Sequence, residues 1–206
     1  MVTGVDSTRV VRPLFQADDD GSSPISTLHS PKQLIFGLCS KPFAVELVRQ
    51  WHSRLPETQA GPWEFAFVAE HCGVAYGVAL WNTPSGRCVP QQWLELRRMA
   101  LSPDAPKNTA SCFLAWMVRF FLSHHAHRER CISYQDTAVH RGTMYKACGW
   151  HIGATSKARI RDRSKLRNGT SRLYRSNLNG VSVDASPKVR WEYPLTTTRR
   201  AKDGAW

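Results

Sequence analysis

Four stretches of this sequence hold side chains whose types and spacing could do chemistry. The first is RRMALSPDAPKNTASC, residues 97–112. A strand that ends in a loop and then opens a helix offers an anion free N–H groups and the positive end of the helix dipole. Lys107, Asn108, Thr109 and Ser111 would add side-chain donors to a phosphate. The stretch has neither a P-loop GKT nor a GxGxxG, so an ordinary capped helix also explains it. The second is YQDTAVHRGTMYKACGW, residues 134–150. Open α/β sheets bind ligands at the carboxyl ends of their strands. Asp136 sits just past such an end, and Tyr145 lies on the helix that follows. A capping Asp and a packed Tyr are the plainer alternative.

The third stretch is Trp51-His52-Ser53, at the end of a helix. His52 suits a general base, a metal ligand or a partner for the helix dipole. His124-His125-Ala126-His127 has a metal-like composition, but it follows a helix C-terminus and reads as a solvated cap. The fourth stretch, residues 156–175, holds eight basic residues and one acidic residue, 8 − 1 = +7. Lys157, Arg159, Arg161, Arg163, Lys165, Arg167 and Arg172 are spaced with Leu166, Leu173 and Tyr174 among them. Such an imbalance points to the phosphates of a nucleic acid.

The whole chain agrees. Its 206 residues carry 28 Lys and Arg against 16 Asp and Glu, a net charge of +12 and a pI near 9.9. A polyanionic partner follows, with nucleic acid first and an acidic membrane second. At 42% hydrophobic and 21% charged, the chain is expected to fold. No run of 18 apolar residues is present, so no membrane span is expected. Residues 16–24 read QADDDGSSP rather than an apolar leader, so a cytoplasmic location is expected. The six cysteines form no CxxC pair and are expected to be buried, reduced thiols.

Several elements must position these groups. Residues 1–30 read as a flexible polar extension and 196–206 as a basic tail, on either side of a domain at 31–195. Phe43, Leu47, Val48 and Trp51 share one face of a helix over 42–52. Strands at 63–70 and 74–81 flank the turn His71-Cys72-Gly73 as a hairpin. In a strand over 92–101, Leu94, Leu96 and Met99 or Leu101 interleave with polar groups. Asn108-Thr109 supply N-cap residues for a helix running to about His124. A short strand at 130–135 leads to a helix at about 140–148, which ends at Gly149. Strands from Trp150 to Thr155 and over 187–194 close the order, an α/β (α+β) sheet with helices on its faces.

Taken together, these pieces resemble the GNAT acetyltransferase fold. Met144-Tyr145-Lys146-Ala147-Cys148-Gly149-Trp150 looks like that family's Tyr-Lys-x-x-Gly-Phe ending. The resemblance implies a mixed, mostly antiparallel central sheet with helices on both faces. The usual Arg/Gln-x-x-Gly-x-Gly/Ala loop is replaced by Ala105-Pro106-Lys107-Asn108-Thr109-Ala110-Ser111. That departure, together with Trp51-His52-Ser53, Leu94-Glu95-Leu96-Arg97-Arg98-Met99 and Asp136, resembles the Mom family of phage DNA-modification proteins over roughly residues 35–194.

The resemblance to Mom implies an acyl-CoA-dependent, transferase-like enzyme that converts DNA adenine to N6-carbamoylmethyl (acetamido) adenine. The product shields phage DNA from host restriction, in the cytoplasm of an infected bacterium. It implies Arg98 and Ser111 at the acyl-CoA junction. His52, Asp136 and Tyr145 are the implied catalytic cluster, and also the only candidates for an iron that the sequence does not require. Met99, Leu101, Lys107, Asn108, Thr109 and Ser111 are expected around acetyl-CoA or a related acyl-CoA. Double-stranded DNA is expected on the basic segment. Trp81, Trp93 and Trp150 are expected in the core rather than as base-stacking surfaces. Two further readings stay open at this point: a conventional N-acetyltransferase for a protein, RNA or small amine, and a non-catalytic DNA-binding protein on the same scaffold. Oligomeric state is open, a dimer included.

Overall fold

A computed structural model describes residues 28–52, 63–86, 88–157 and 187–196. Among them, a 3-10 turn at Pro31–Gln33 leads into β1 (Ile35–Leu38) and α1 (Lys41–Trp51). β2 (Phe65–His71) and β3 (Val74–Asn82) form the expected hairpin. Its two turn residues, Cys72 and Gly73, both have positive φ (49° and 77°), the twist that suits two antiparallel strands. β4 (Trp93–Leu101) leads to α2 (Thr109–His124) and β5 (Arg130–Asp136). α3 (Thr143–Ala147), β6 (His151–Ser156) and β7 (Lys188–Pro194) follow.

The seven strands form one sheet in the order β1-β2-β3-β4-β5-β7-β6. Every neighbouring pair is antiparallel except β4 with β5. A parallel pair needs a crossover, and α2 supplies it. Alternation then sorts the side chains between two cores. Ala66, Val68, Val78 and Leu80 meet Ala44, Val45 and Val48 of α1 on one face. Phe67, Trp81, Leu94 and Leu96 meet Phe113, Leu114, Met117 and Phe121 of α2 on the other. The Trp81 indole N–H donates to Met117 Sδ at 3.0 Å, so a buried polar atom in the centre is satisfied.

β1 has no counterpart among the expected elements. It is four residues long, contains Gly37, and leaves Ile35 and Leu38 exposed at the sheet edge, so it carries little strand signal. The helix expected over 140–148 is only Thr143–Ala147, because His140 and the residues just before it fold back onto Asp136 instead. The cysteines are all free, but only Cys131 is fully buried; Cys72 and Cys88 are exposed on turns, contrary to expectation.

β4 does not alternate regularly. Trp81 pairs with Leu96 and Leu80 with Arg98, so Arg97 is an extra residue with no partner on β3. This bulge reverses which face the following residues take. Leu94 and Leu96 point to the α2 core, whereas Arg98 and Ala100 share the α1 face with Leu80 and Val78. β4 pairs with β5 only from Trp93–Arg130 to Leu96–Ser133. Beyond Leu96, β4 and β5 part, and β5 continues to Asp136 on β7 alone. The carboxyl ends of the two strands therefore form the arms of a V.

Gly142 opens α3 at φ +71°, a backbone that L side chains resist. A Cβ there would stand 2.6 Å from Gln135 Oε1 and 2.7 Å from Trp191 Cζ2. Gly142→Ala combines backbone strain with an overpacked contact and is expected to cost about 1–3 kcal/mol. A urea or thermal melt reads this directly, and an unchanged midpoint would show that the loop relaxes freely.

Candidate functional site

The V is approached from both faces of the sheet, and the expected site residues divide between them. On the α1 face stand His52, Arg98 and Asp136. His52 follows the last residue of α1, and its backbone N–H donates to Val48 O at 2.9 Å. Burial lowers the His52 pKa to about 4, and Arg98 and then His140 push it the same way. At neutral pH the ring is therefore an uncharged hydrogen-bonding group, not the cation that a helix-dipole partner would be. The same electrostatics put Arg98 on β4 and His140 after β5 in the ring's neighbourhood. Asp136 ends β5 and shares a face with Ile132 and Tyr134 by alternation. Its Oδ1 accepts from the N–H of Ala138 (3.0 Å), and its backbone carbonyl accepts from Val139 (3.3 Å) and His140 (3.0 Å). The carboxylate thus caps the loop after β5 as an Asx turn. The Gln135 amide holds this loop from the other side: it donates to His140 O and accepts from Trp191 Nε1.

On the opposite face lie α2 and α3. Asn108 stands at the N-cap of α2 but not as the expected side-chain cap. It makes no side-chain cap bond and takes φ +70°, ψ 5°. Asn is the non-glycine residue that best tolerates this left-handed backbone. Thr109 is 1% exposed; its N–H and hydroxyl both go to Pro106 O, at 3.1 and 2.8 Å, so its side chain is structural. Ser111 donates its hydroxyl to Asn108 O at 3.0 Å. The first turn of α2 has no acidic residue, and helix geometry leaves the Ala110 and Ser111 N–H groups without an intrahelical acceptor. Lys107 is exposed beside them. Met99 lies against the α2-side core, and Leu101 is half-buried on the same strand face.

Tyr145 reaches the apex of the V from this second face. Its ring stacks on Trp191, with centroids 5.3 Å apart. Its OH lies 2.8 Å from Ser133 Oγ, and Ser133 donates to Leu96 O at 3.1 Å. The serine's one proton is thereby used, so the phenol donates to it. Burial holds the Tyr145 pKa up at about 12, so the group stays a neutral proton carrier at the last paired position of β4 and β5.

The structure therefore does not gather His52, Asp136 and Tyr145 into one ligand set. Two stand on one face, and the third enters from the other with its proton committed to Ser133. Among the described residues, no group of three His, Cys, Asp or Glu side chains could hold a metal ion. The residues do not fit an iron centre. Lys157 is exposed beyond β6. Arg159, Arg161, Arg163, Lys165, Arg167 and Arg172, like Ser53, lie outside the described residues. Trp81 and Trp150 are buried in the core, as expected, and Trp93 lies half-buried beneath the Arg130 guanidinium, 4.6 Å from its ring centre. Of the histidines after α2, His125 packs on Phe65 at 4.7 Å, which burial alone explains.

Three residues of the cleft escaped the sequence reading: His140, Glu95 and Tyr134. Glu95 is partly buried on β4, 3.7 Å from the Arg97 guanidinium, and burial raises its pKa. Only the exposed aromatic at Tyr134, inside a strand pattern, gave any signal. A shallow groove of about 380 Å³ runs along the outer side of α2, lined by Lys32, Ser111, Cys112, Arg119 and Cys148. It meets the second face of the site at Ser111, not the mouth where His52 lies.

Solved structures with this architecture are acetyltransferases of the GNAT kind. An acetyltransferase from Bacillus subtilis in complex with CoA is 15% identical, with a TM-score of 0.51, covering 79% of this chain and 99% of its own. A GNAT superfamily phosphinothricin acetyltransferase from Sinorhizobium meliloti in complex with AcCoA is 13% identical, with a TM-score of 0.53 and coverage of 79% and 89%. A spermidine/spermine N-acetyltransferase from Vibrio cholerae is 8% identical, with a TM-score of 0.54 and coverage of 85% and 99%. At these identities the likeness establishes the fold. No curated protein matches the chain in sequence. The model of the Mom protein family matches residues 33–191, more than half of the chain and every element from β1 to the middle of β7, and the chain belongs to that family.

Proposed function

We propose that this protein is an acyl-CoA-dependent DNA-modification enzyme that converts adenine in double-stranded DNA to N6-carbamoylmethyl adenine. In an infected bacterium's cytoplasm, the product would shield phage DNA from host restriction. The observation that carries the reading is the two-sided cleft. An anion-binding helix start and a neutral phenol stand on one side of the β4/β5 apex, and an uncharged imidazole, a guanidinium and a carboxylate stand on the other. Such a cleft suits a donor entering along α2 and an acceptor entering beside α1. Family membership supports DNA as the acceptor, and the net charge of +12 supports a polyanion.

The roles follow from position. The first turn of α2, with Lys107, takes the pyrophosphate of the donor. Tyr145 supplies a proton to the departing thiolate by turning its hydroxyl away from Ser133, which orients the phenol until the donor is bound. The N6 amine is a poor nucleophile because its lone pair is delocalised into the ring, so a base must take its proton as it attacks. Asp136 is that base, with His52 accepting a hydrogen bond from the same amine. These steps balance as acyl transfer, which leaves an N6-acyl group and free thiol; the carbamoylmethyl product, N6–CH2–C(O)NH2, needs in addition an amine co-reactant that brings the amide nitrogen and a bond from N6 to the methylene carbon. To reach N6, the base must leave the stack, which calls for a clamp on the backbone. The +7 segment at 156–175 supplies it. The non-catalytic alternative rests on the missing phosphate-loop glycines, and the left-handed Asn108 weighs against it.

Nucleoside mass spectrometry on plasmid DNA from expressing cells tests the reading. A deoxyadenosine of carbamoylmethyl mass is expected, and unmodified adenine beside soluble protein would sink it. Asp136→Asn is expected to abolish the modified nucleoside while shifting the melting temperature little; full activity would remove Asp136 from the chemistry. Replacing Arg159, Arg161 and Arg163 together by Ala is expected to weaken DNA binding and reduce the slope of log affinity against log salt by about 3. An unchanged slope would place the clamp elsewhere. His52 gives a stability prediction. Its folded pKa lies below the unfolded value, so as pH falls from about 6.5 toward 4 the unfolded chain takes up a proton that the folded chain refuses. Stability is expected to drop across that window, and His52→Gln is expected to flatten the drop in urea melts.

A further inference from the structure

Tyr134 stands on β5 between the buried Ser133 and Gln135 and faces the α1 side, two residues before Asp136. It is 42% exposed, and among the described residues it makes no hydrogen bond and no ring contact. Two features of the fold leave it uncovered. β4 has already left β5 after the Leu96–Ser133 pair, so β4 pairs with nothing beside this ring. Its partner across β7 is Arg190, which is drawn away along the sheet. Arg190 donates to Glu192 through Nε at 2.8 Å, and its guanidinium lies 5.6 Å from the centre of the Trp93 ring. Glu192 is 2% exposed and binds Arg130 as well, so this clamp is fixed. An arginine directly across from a tyrosine would ordinarily lie over its ring. Here a buried carboxylate prevents it and leaves a bare aromatic face at the mouth that holds Asp136.

We propose that Tyr134 is the stacking surface for the extruded nucleobase and selects a flat heteroaromatic acceptor at this mouth. The inference rests on the reading of DNA adenine as acceptor and adds the residue that would recognise it. A π-face takes up an unstacked base whatever its edge carries, so Tyr134 supplies affinity for a displaced base and leaves the choice of N6 to Asp136 and His52.

The test uses the full chain and two DNA duplexes, one fully paired and one with a single adenine opposite an abasic site. Fluorescence anisotropy at fixed salt is expected to show the wild type preferring the displaced adenine by about tenfold. Tyr134→Phe keeps the ring and is expected to keep that preference. Tyr134→Ala is expected to lose it, with the melting temperature, coenzyme A affinity and affinity for the paired duplex unchanged. In cells, the modified adenine should fall at least about tenfold in Tyr134→Ala and little in Tyr134→Phe. A preference that survives in Tyr134→Ala, or that is missing from the wild type, overturns the inference. Equal modification by wild type and Tyr134→Ala overturns it too, while leaving the enzyme reading intact. If the wild type itself modifies no adenine, both fall together.

Discussion

One extra residue in one strand sets the geometry of this cleft. Were β4 to alternate strictly from Leu94 and Leu96, Arg98 would enter the aromatic core beneath α2. An unpaired guanidinium there would cost several kcal/mol, far more than a bulge. The unpaired Arg97 shifts the phase, and Arg98 comes out on the α1 face near His52. The same irregularity bends β4 away from β5, because a bulge increases local twist. Opening the V and placing a cation beside it are thus consequences of a single insertion.

The apex of the V then needs a way to end the parallel pairing without stranding polar atoms. Ser133 supplies it: its hydroxyl takes up Leu96 O, and the Tyr145 phenol takes up Ser133 in turn. This chain of two bonds fixes where α3 sits, because Tyr145 is nearly all of what α3 buries. It also keeps a protonated phenol where the two faces meet. On the other side, burial keeps His52 uncharged beside a permanent cation, so the two groups do not compete for the same counter-charge. The two ends of the cleft are therefore electrostatically different.

Much of this was legible in the residues. The hairpin, α1, α2 and the place of Asp136 followed from alternation, helical spacing and turn chemistry. The bulge in β4 was not read: Leu94, Leu96 and Met99 or Leu101 pass for one interleaved strand, and only the pairing with β3 shows that Arg97 is extra. What failed was whatever depended on contacts distant in sequence. β1 is too short and too glycine-broken to announce itself, and only its pairing with β2 makes it a strand. His140 reached the site because Gln135 and Trp191, 56 residues apart, hold its loop. The family resemblance grouped Tyr145 with His52, but α3 packs on the far face of the sheet.

The loop before α2 shows why a departure from a motif must be judged by backbone and not by letters. Glycines at such a loop serve two ends: a positive φ at the helix start, and close approach of main chain to phosphate. Asn108 meets the first at φ +70°, for a penalty smaller than any residue but glycine would incur. At the second, the side chains of Ala110 and Ser111 are small, and the hydroxyl of Ser111 folds back onto Asn108 O. The hydroxyls of Thr109 and Ser111, bonded to Pro106 O and Asn108 O, hold the loop in this shape.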